Sequence, residues 1–289
     1  MSLISPKVSV LMPIYRTKEK HLRATIESVL GQTFTDFEFL ILDDCPEDDR
    51  ECVVGAYSDG RIRYFRNDHN MGITPSRNKL IDLADGEYLA VVDHDDISAP
   101  DRFAKEVQYL DEHPSVGVVS SWYEIFPVRK VIRRFSDDHN IKLSLMRQCG
   151  LSHPATMIRK SVLEKNGIRY REEYTPAEDY ALWCELLPHT EFYNIPEVLL
   201  RLRRHRTNTS KLQRQRMRSA ALRLNAEMQT KYPGLYNEFM LCSSRKHTFN
   251  LFGFLPLVRL EPRGYVTKMY LFYFILVGVY EISERMKRN

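Results

Sequence analysis

What this 289-residue chain lacks narrows its chemistry early. It has no GxGxxG after an apolar run and no GxxxxGK[ST], so neither a dinucleotide fingerprint nor a P-loop cradles phosphate. Its five cysteines (Cys45, Cys52, Cys149, Cys184 and Cys242) are odd in number and include no CxxC pair. That argues against a disulfide framework or zinc site and for reduced thiols in a cytoplasmic setting. The segment from Met1 to Lys7 has no long apolar stretch of the kind a secretory signal needs. Later in the chain, the apolar run 269–280 spans 12 residues, short of the ~20 that a membrane-crossing helix requires.

What remains is ordinary in bulk and lopsided in charge. With 43% hydrophobic and 28% charged residues, the composition is that of a soluble globular protein, and the length suits one large domain with a smaller appendage. The net charge of +4 conceals 18 Lys/Arg against 5 Asp/Glu in residues 201–289, which leaves 24 basic and 33 acidic residues in 1–200. A basic tail on an acidic body points to an anionic partner: a membrane, a nucleic acid or a phosphorylated substrate.

Apolar runs and helical spacings alternate through the first 120 residues. Val8–Met12 reads as a buried strand stopped by Pro13, and Leu22, Ile26, Val29 and Leu30 fall on one face of a helix stopped by Gly31. Strands follow at 37–42, 62–65, 88–92 and 116–120, with a surface helix over 47–58, a helix from Thr74-Pro75 to about Ala84 and another starting near Pro100. Strands separated by helices in this way predict an α/β fold with a mostly parallel sheet, whose ligands gather at the carboxyl ends of the strands. Three strands end there in polar groups: Pro13-Ile-Tyr15-Arg16, Asp43-Asp44 and Asp93-His-Asp95-Asp96. The last crowds three carboxylates, whose repulsion a hard cation such as Mg²⁺ or Mn²⁺ would relieve; an isolated cluster of this kind is as readily a solvated acidic turn.

These stretches, joined by Ser28-Val-Leu-Gly-Gln-Thr-Phe34, Asn70-Met-Gly-Ile73, Arg77-Asn78, Asp85-Gly-Glu-Tyr88, His153-Pro-Ala-Thr-Met-Ile-Arg159 and Ala177-Glu-Asp-Tyr-Ala-Leu-Trp183, occur in an order that resembles the family 2 glycosyltransferases. The likeness covers roughly residues 7–210. It implies a GT-A fold over 1–206, with a nucleotide-binding half (1–120) and an acceptor half (121–206). It also implies inverting transfer of a sugar from a nucleotide-diphospho-sugar, UDP-linked by preference, to a glycan or lipid-linked hydroxyl at the cytoplasmic face of the membrane. On the same resemblance, Asp44 reads the nucleotide base, Pro13 and Tyr15 line its pocket, and Asp93 meets the ribose. Asp95, with Asp93 and His205, holds Mn²⁺ or Mg²⁺; His205 is equally a member of a surface basic loop. Asp179 is the general base. Glu178 either supports the acceptor or caps the helix that follows, and Arg77 either reaches the phosphates or braces the acidic cluster. His153 reads as a structural histidine or an acceptor contact, and His94 departs from the small residue usual at its position.

Residues 207–289 form a basic, helical C-terminal region. Met217, Ala221, Leu224 and Met228 make a stripe that packs on the body, and the apolar run 269–280 with its basic flanks reads as a helix lying in an anionic bilayer surface, or as an oligomerisation helix. No recognition motif supports a nucleic-acid partner. Two other functions stay open: a sugar-nucleotide pyrophosphorylase, although Pro13–Lys18 lacks its Gly-rich loop, and a non-catalytic membrane-attached scaffold of the same fold.

Overall fold

The structure is a computed structural model that describes residues 5–48, 50–204, 213–245, 248–251 and 255–258. Its first half runs β1 (Val8–Ile14), α1 (Glu19–Leu30), β2 (Phe37–Asp43), α2 (Glu51–Gly55), β3 (Ile62–Arg66), α3 (Ile73–Leu83) and β4 (Tyr88–Val91). These four strands lie parallel in the order β3-β2-β1-β4. Every residue of β1, β2 and β4 is buried, which is why they read as continuous apolar runs.

The second half adds β5 (Ile97–Ser98), α4 (Arg102–Glu112), β6 (Val116–Phe126), β7 (Lys130–Ile132), α5 (Asp138–Leu145), β8 (Met157–Arg159), α6 (Lys160–Asn166), α7 (Glu178–Leu186) and β9 (Glu191–Arg203). The nine-stranded sheet continues β4-β8-β6-β9-β5, with β7 hydrogen-bonded to β6. β8 is antiparallel to both β4 and β6, whereas β6 and β9 are parallel, so the second half of the sheet is mixed. The fold is thus an α/β sheet flanked by helices.

Two details differ from the sequence expectations, and a third matches them. Pro13 does not stop β1: Val92 N donates to Leu11 O and Asp44 N donates to Ile14 O. Strand alternation therefore turns the Pro13 nitrogen toward β4, beyond the last β1–β4 pair at Leu11 and Val91, where no donor is needed. Gly31 ends α1 as expected, at φ −83°; an added Cβ would lie 3.0 Å from the Glu27 carbonyl oxygen. The surface helix expected over 47–58 shortens to the five residues of α2.

Beyond the sheet come α8 (Arg214–Lys231) and α9 (Pro233–Arg245), then a hairpin of β10 (Thr248–Leu251) and β11 (Leu255–Val258). The chain divides into compact units at residues 1–236 and 237–289. On α8, Ala220, Leu224 and Met228 are buried at i, i+4, i+8 spacing, and Arg214, Arg216, Arg218 and Arg223 are exposed. Among the described residues no helix is long and apolar enough to cross a membrane. The run 269–280 and His205 lie outside the described residues.

Candidate active site

The carboxyl ends of β1, β2 and β4 open onto one edge of the sheet, and each delivers polar groups there. Behind β2, Asp44 is buried and its carboxylate is already engaged. Oδ1 accepts from Asn67 Nδ2 and the Met71 backbone N–H, and Oδ2 from the Gly72 N–H, each at 2.8 Å. Gly72 sits at φ +87°, a conformation that favours glycine, and leads directly into α3. Asp44 therefore shapes the loop that starts α3, and among the described residues it keeps one of the roughly four acceptor positions of a carboxylate open. Pro13 is buried in β1, whereas Tyr15 is exposed, with the Arg16 guanidinium 5.2 Å from its ring centre.

After β4 the chain turns through Asp93, His94, Asp95 and Asp96. The tightness of this turn comes from its own bonds: Asp96 N–H donates to Asp93 O at 3.3 Å, and Thr25 Oγ1 of α1 donates to Asp96 O at 2.8 Å. From β9, Arg203 clamps the other side, its backbone N–H donating to Asp96 Oδ1 and its Nε to Asp95 O, both at 2.7 Å. Asp96 is only 2% exposed. Burial first, then the charges of Asp93 and Asp95, push its carboxyl well above the ordinary range, outweighing the help from Arg203. His94 is half-buried, and its Nδ1 has no hydrogen-bond partner among the described residues.

Arg102 supports this turn from below. It is completely buried, and all five of its N–H groups are used. Nε donates to Glu106 (3.0 Å), Nη1 to Ser98 Oγ (3.2 Å) and Pro154 O (2.8 Å), and Nη2 to Val91 O (3.0 Å) and Thr156 O (3.2 Å). One side chain thus ties the end of β4, β5 and the 154–156 segment together.

The two halves meet through Arg77 of α3. Its Nη1 donates to Glu178 Oε1 at 2.5 Å and its Nη2 to Asp93 Oδ1 at 3.3 Å. Burial opposes the guanidinium charge, but Glu178 and then Asp93 more than compensate and raise it above the ordinary arginine value. The same face of α3 makes two further ties at i−3 and i+1. Thr74 Oγ1 lies 2.6 Å from Thr175 Oγ1, and the Asn78 amide exchanges two bonds with the Tyr170 backbone, at 2.9 and 3.0 Å. These ties hold the segment that leads into α7, whose first residues are Glu178 and Asp179.

Asp179 Oδ1 accepts from the Tyr180 N–H at 2.7 Å, which leaves Oδ2 unclaimed among the described residues. Burial and the neighbouring Glu178 charge, partly offset by Arg77, raise the Asp179 carboxyl to about 6. Alongside, His153 is buried, its Nε2 2.8 Å from Tyr170 Oη and its ring 5.9 Å from that of Trp183. Burial first, then Arg77 and Arg102, hold it well below the ordinary histidine value and therefore neutral.

Of the residues singled out in the sequence, Arg77, Asp93, Glu178 and Asp179 form one connected cluster, with Asp95 and Asp96 next to it behind Arg203. Asp44 belongs to the adjoining loop, and Tyr15 points to solvent. Among the described residues no three His, Cys, Asp or Glu side chains are grouped closely enough to hold a metal by themselves. Sequence reasoning missed Arg102 and the roles of Thr74 and Asn78. The latter two were within reach, because positions 74, 77 and 78 share one helical face.

Comparison with known proteins gives a consistent picture. The family model described as Glycosyl transferase family 2 matches residues 9–167. An uncharacterised glycosyltransferase of Methanocaldococcus jannaschii is 32% identical over 207 residues, 68% of this chain and 71% of that one. The Escherichia coli UDP-Glc:alpha-D-GlcNAc-diphosphoundecaprenol beta-1,3-glucosyltransferase WfgD is 27% identical over 181 residues, 62% of this chain and 69% of that one. Among solved structures, S. aureus TarS 1–349 in complex with UDP-GlcNAc superposes with a TM-score of 0.67 at 19% identity, covering 81% of this chain and 71% of that one; this likeness is one of fold.

Proposed function

Because the chain belongs to glycosyltransferase family 2 and is a glycosyl-transferring enzyme, we propose that it is an inverting transferase. It would move a sugar from a nucleotide-diphospho-sugar, UDP-linked by preference, to a hydroxyl of a membrane-borne, lipid-linked glycan. The observation that carries this reading is the Arg77 bridge, which joins the acidic end of β4 to the acidic start of α7. A donor-side cluster and a base are thereby held at one site.

The donor set suits a divalent ion. Hard carboxylate oxygens from Asp93 and Asp95, in a turn where like charges already crowd Asp96, would hold Mn²⁺ or Mg²⁺, with His205 as a further ligand. When bound, such an ion offsets the charge of the departing diphosphate. Asp44 and the 70–72 loop would border the nucleotide base, with Pro13 and Tyr15 beside it.

Asp179 takes the role of base, for three physical reasons. Its Oδ2 is open, its raised affinity for protons makes it a stronger base than an ordinary aspartate, and at about 6 it is still largely ionised at neutral pH. In the step itself, the acceptor oxygen bonds to the anomeric carbon as the bond from that carbon to the diphosphate oxygen breaks, and the hydroxyl proton passes to Asp179. Glu178, paired with Arg77, orients this end of α7 rather than taking the proton. The membrane-borne acceptor fits the basic bias of residues 201–289 and the diphosphoundecaprenol acceptor in the name of the E. coli relative.

Calorimetric titration with UDP, GDP and CDP, each with Mn²⁺ and with EDTA, tests the donor assignment. Metal-dependent binding of UDP alone is the expected result. Metal-independent binding, or a preference for another nucleotide, refutes the corresponding part. Full turnover by Asp179→Asn would remove the base assignment.

A further inference from the structure

β6 changes character halfway along. Residues 116–121 are all buried, but from Trp122 to Phe126 every residue is half-exposed, because here the strand leaves the core and pairs with the short β7. The hairpin that results is a ten-residue segment, Phe126-Pro-Val-Arg-Lys-Val-Ile-Arg-Arg-Phe135, containing four basic residues and no acidic one. Val128 at its turn is 58% exposed, with Pro127, Arg129 and Lys130 exposed beside it. Among the described residues none of Arg129, Lys130, Arg133 and Arg134 has a carboxylate within ion-pairing distance; the ion pairs nearest in sequence belong to Lys105 and Lys142. Behind the turn, the Arg133 guanidinium lies 5.4 Å from the half-exposed Trp122 ring, whose Nε1 donates to Arg134 O.

This placement is poor for a solvated loop and good for an interface. An exposed apolar tip costs hydration free energy unless it enters an apolar phase. Unneutralised cations just behind it gain from anionic headgroups, and an indole at that level matches the aromatic belt of membrane-bound proteins. The hairpin also grows from the rim of the site. Phe126 pairs with Arg203, whose guanidinium lies 4.5 Å from the Phe126 ring while its Nε donates to Asp95 O. We infer that the β6–β7 hairpin docks the catalytic unit onto an anionic lipid surface, with Val128 entering the acyl boundary and the exposed Arg129, Lys130 and Arg133 facing the headgroups, while Arg134, whose Nε is buried, turns inward. The contact would set the mouth of the site toward an acceptor held in the bilayer. It rests on the proposed function only for that purpose, not for the contact itself.

The test uses the full chain and sedimentation with vesicles of phosphatidylcholine alone or with one third phosphatidylglycerol. Each basic side chain near such a surface is worth about five-fold in partition. Arg129→Glu/Lys130→Glu should therefore lower binding to the anionic vesicles by more than ten-fold, and Val128→Asp should lower it as well. An equal charge change elsewhere, in the exposed pair Lys20→Glu/Lys165→Glu, should have little effect. Unchanged partition of the hairpin variants, an equal loss with the control pair, or equal binding to neutral vesicles overturns the inference. So does a change of oligomeric state on mutation, which would make the hairpin a contact between copies of the chain. UDP binding measured on the same samples keeps the two proposals separate: its absence in the unmutated protein would count against the donor reading and leave the vesicle result standing.

Discussion

Replacing Arg77 by methionine removes a cation and keeps most of its bulk, and the consequence can be worked from the geometry. The Arg77 and Glu178 side chains are 12% and 6% exposed, and Glu178 Oε2 already has no partner among the described residues. The Asp93 arm is longer, at 3.3 Å, and its carboxylate is 35% exposed, so solvent screens it and it contributes little. The cost therefore comes from stranding Glu178, and breaking a buried pair typically costs about 3–5 kcal/mol. The destabilisation should thus be about 3–5 kcal/mol at pH 7. Urea unfolding followed by circular dichroism measures this directly. The double variant Arg77→Met/Glu178→Met, with an apolar pair in place of the ionic one, should recover most of the loss. A penalty below about 1 kcal/mol at pH 7, or no recovery in the double variant, would refute the idea that this ion pair locks the two halves together.

Other consequences are equally open to measurement. Arg102→Lys supplies three donors where five are used, leaving buried carbonyls unmet; a loss of about 3–5 kcal/mol in chemical denaturation is expected. Its partner Glu106 is raised by burial to about 7, against about 4.5 for an unperturbed glutamate. The folded state therefore holds this proton more tightly than the unfolded chain, and its contribution to stability declines as pH rises from about 4.5 to 7; Glu106→Gln should flatten that slope in thermal unfolding. As the proposed base, Asp179 would have to be ionised to accept a proton, so kcat/KM should rise with pH up to about 6 and then level, and this limb should vanish from the residual activity of Asp179→Asn. Asp44→Asn removes one acceptor from the Met71 and Gly72 N–H groups, and should cost about 1–3 kcal/mol in stability and weaken nucleotide binding measured by calorimetry.

The first half of the fold was legible because its signals are local. Val8–Met12, Phe37–Leu42 and Tyr88–Val92 are buried on both faces and read as unbroken apolar runs, and Leu22, Ile26 and Val29 mark a helix by spacing alone. The second half was not, since its order depends on contacts distant in sequence. Short β8 joins β4 to β6, β9 pairs with β6 through register shifts near Ser121 and Trp122, and two-residue β5 attaches to β9 about a hundred residues later. The candidate site divides in the same way. Its carboxylates stand out at the strand ends and at the start of α7. The residues that hold them in place do not, because Arg102 acts through partners in three separate segments and Arg77 through one strand end and one helix start. Asp44 shows how a residue type can be located without its bonding being foreseen: its position follows from the end of β2, but the three donors it binds come from residues 67–72.

The three ties made by α3, at Thr74, Arg77 and Asn78, bear on how this enzyme can be re-engineered. A cut near residue 120 looks natural for exchanging the second half of the fold between relatives, since it falls between the parallel and mixed parts of the sheet. Yet the side chains that seat residues 170–178 reside upstream of that cut. A chimaera that imports a foreign second half must bring its own counterparts of these three positions, or the imported α7 will carry its carboxylates to the wrong place.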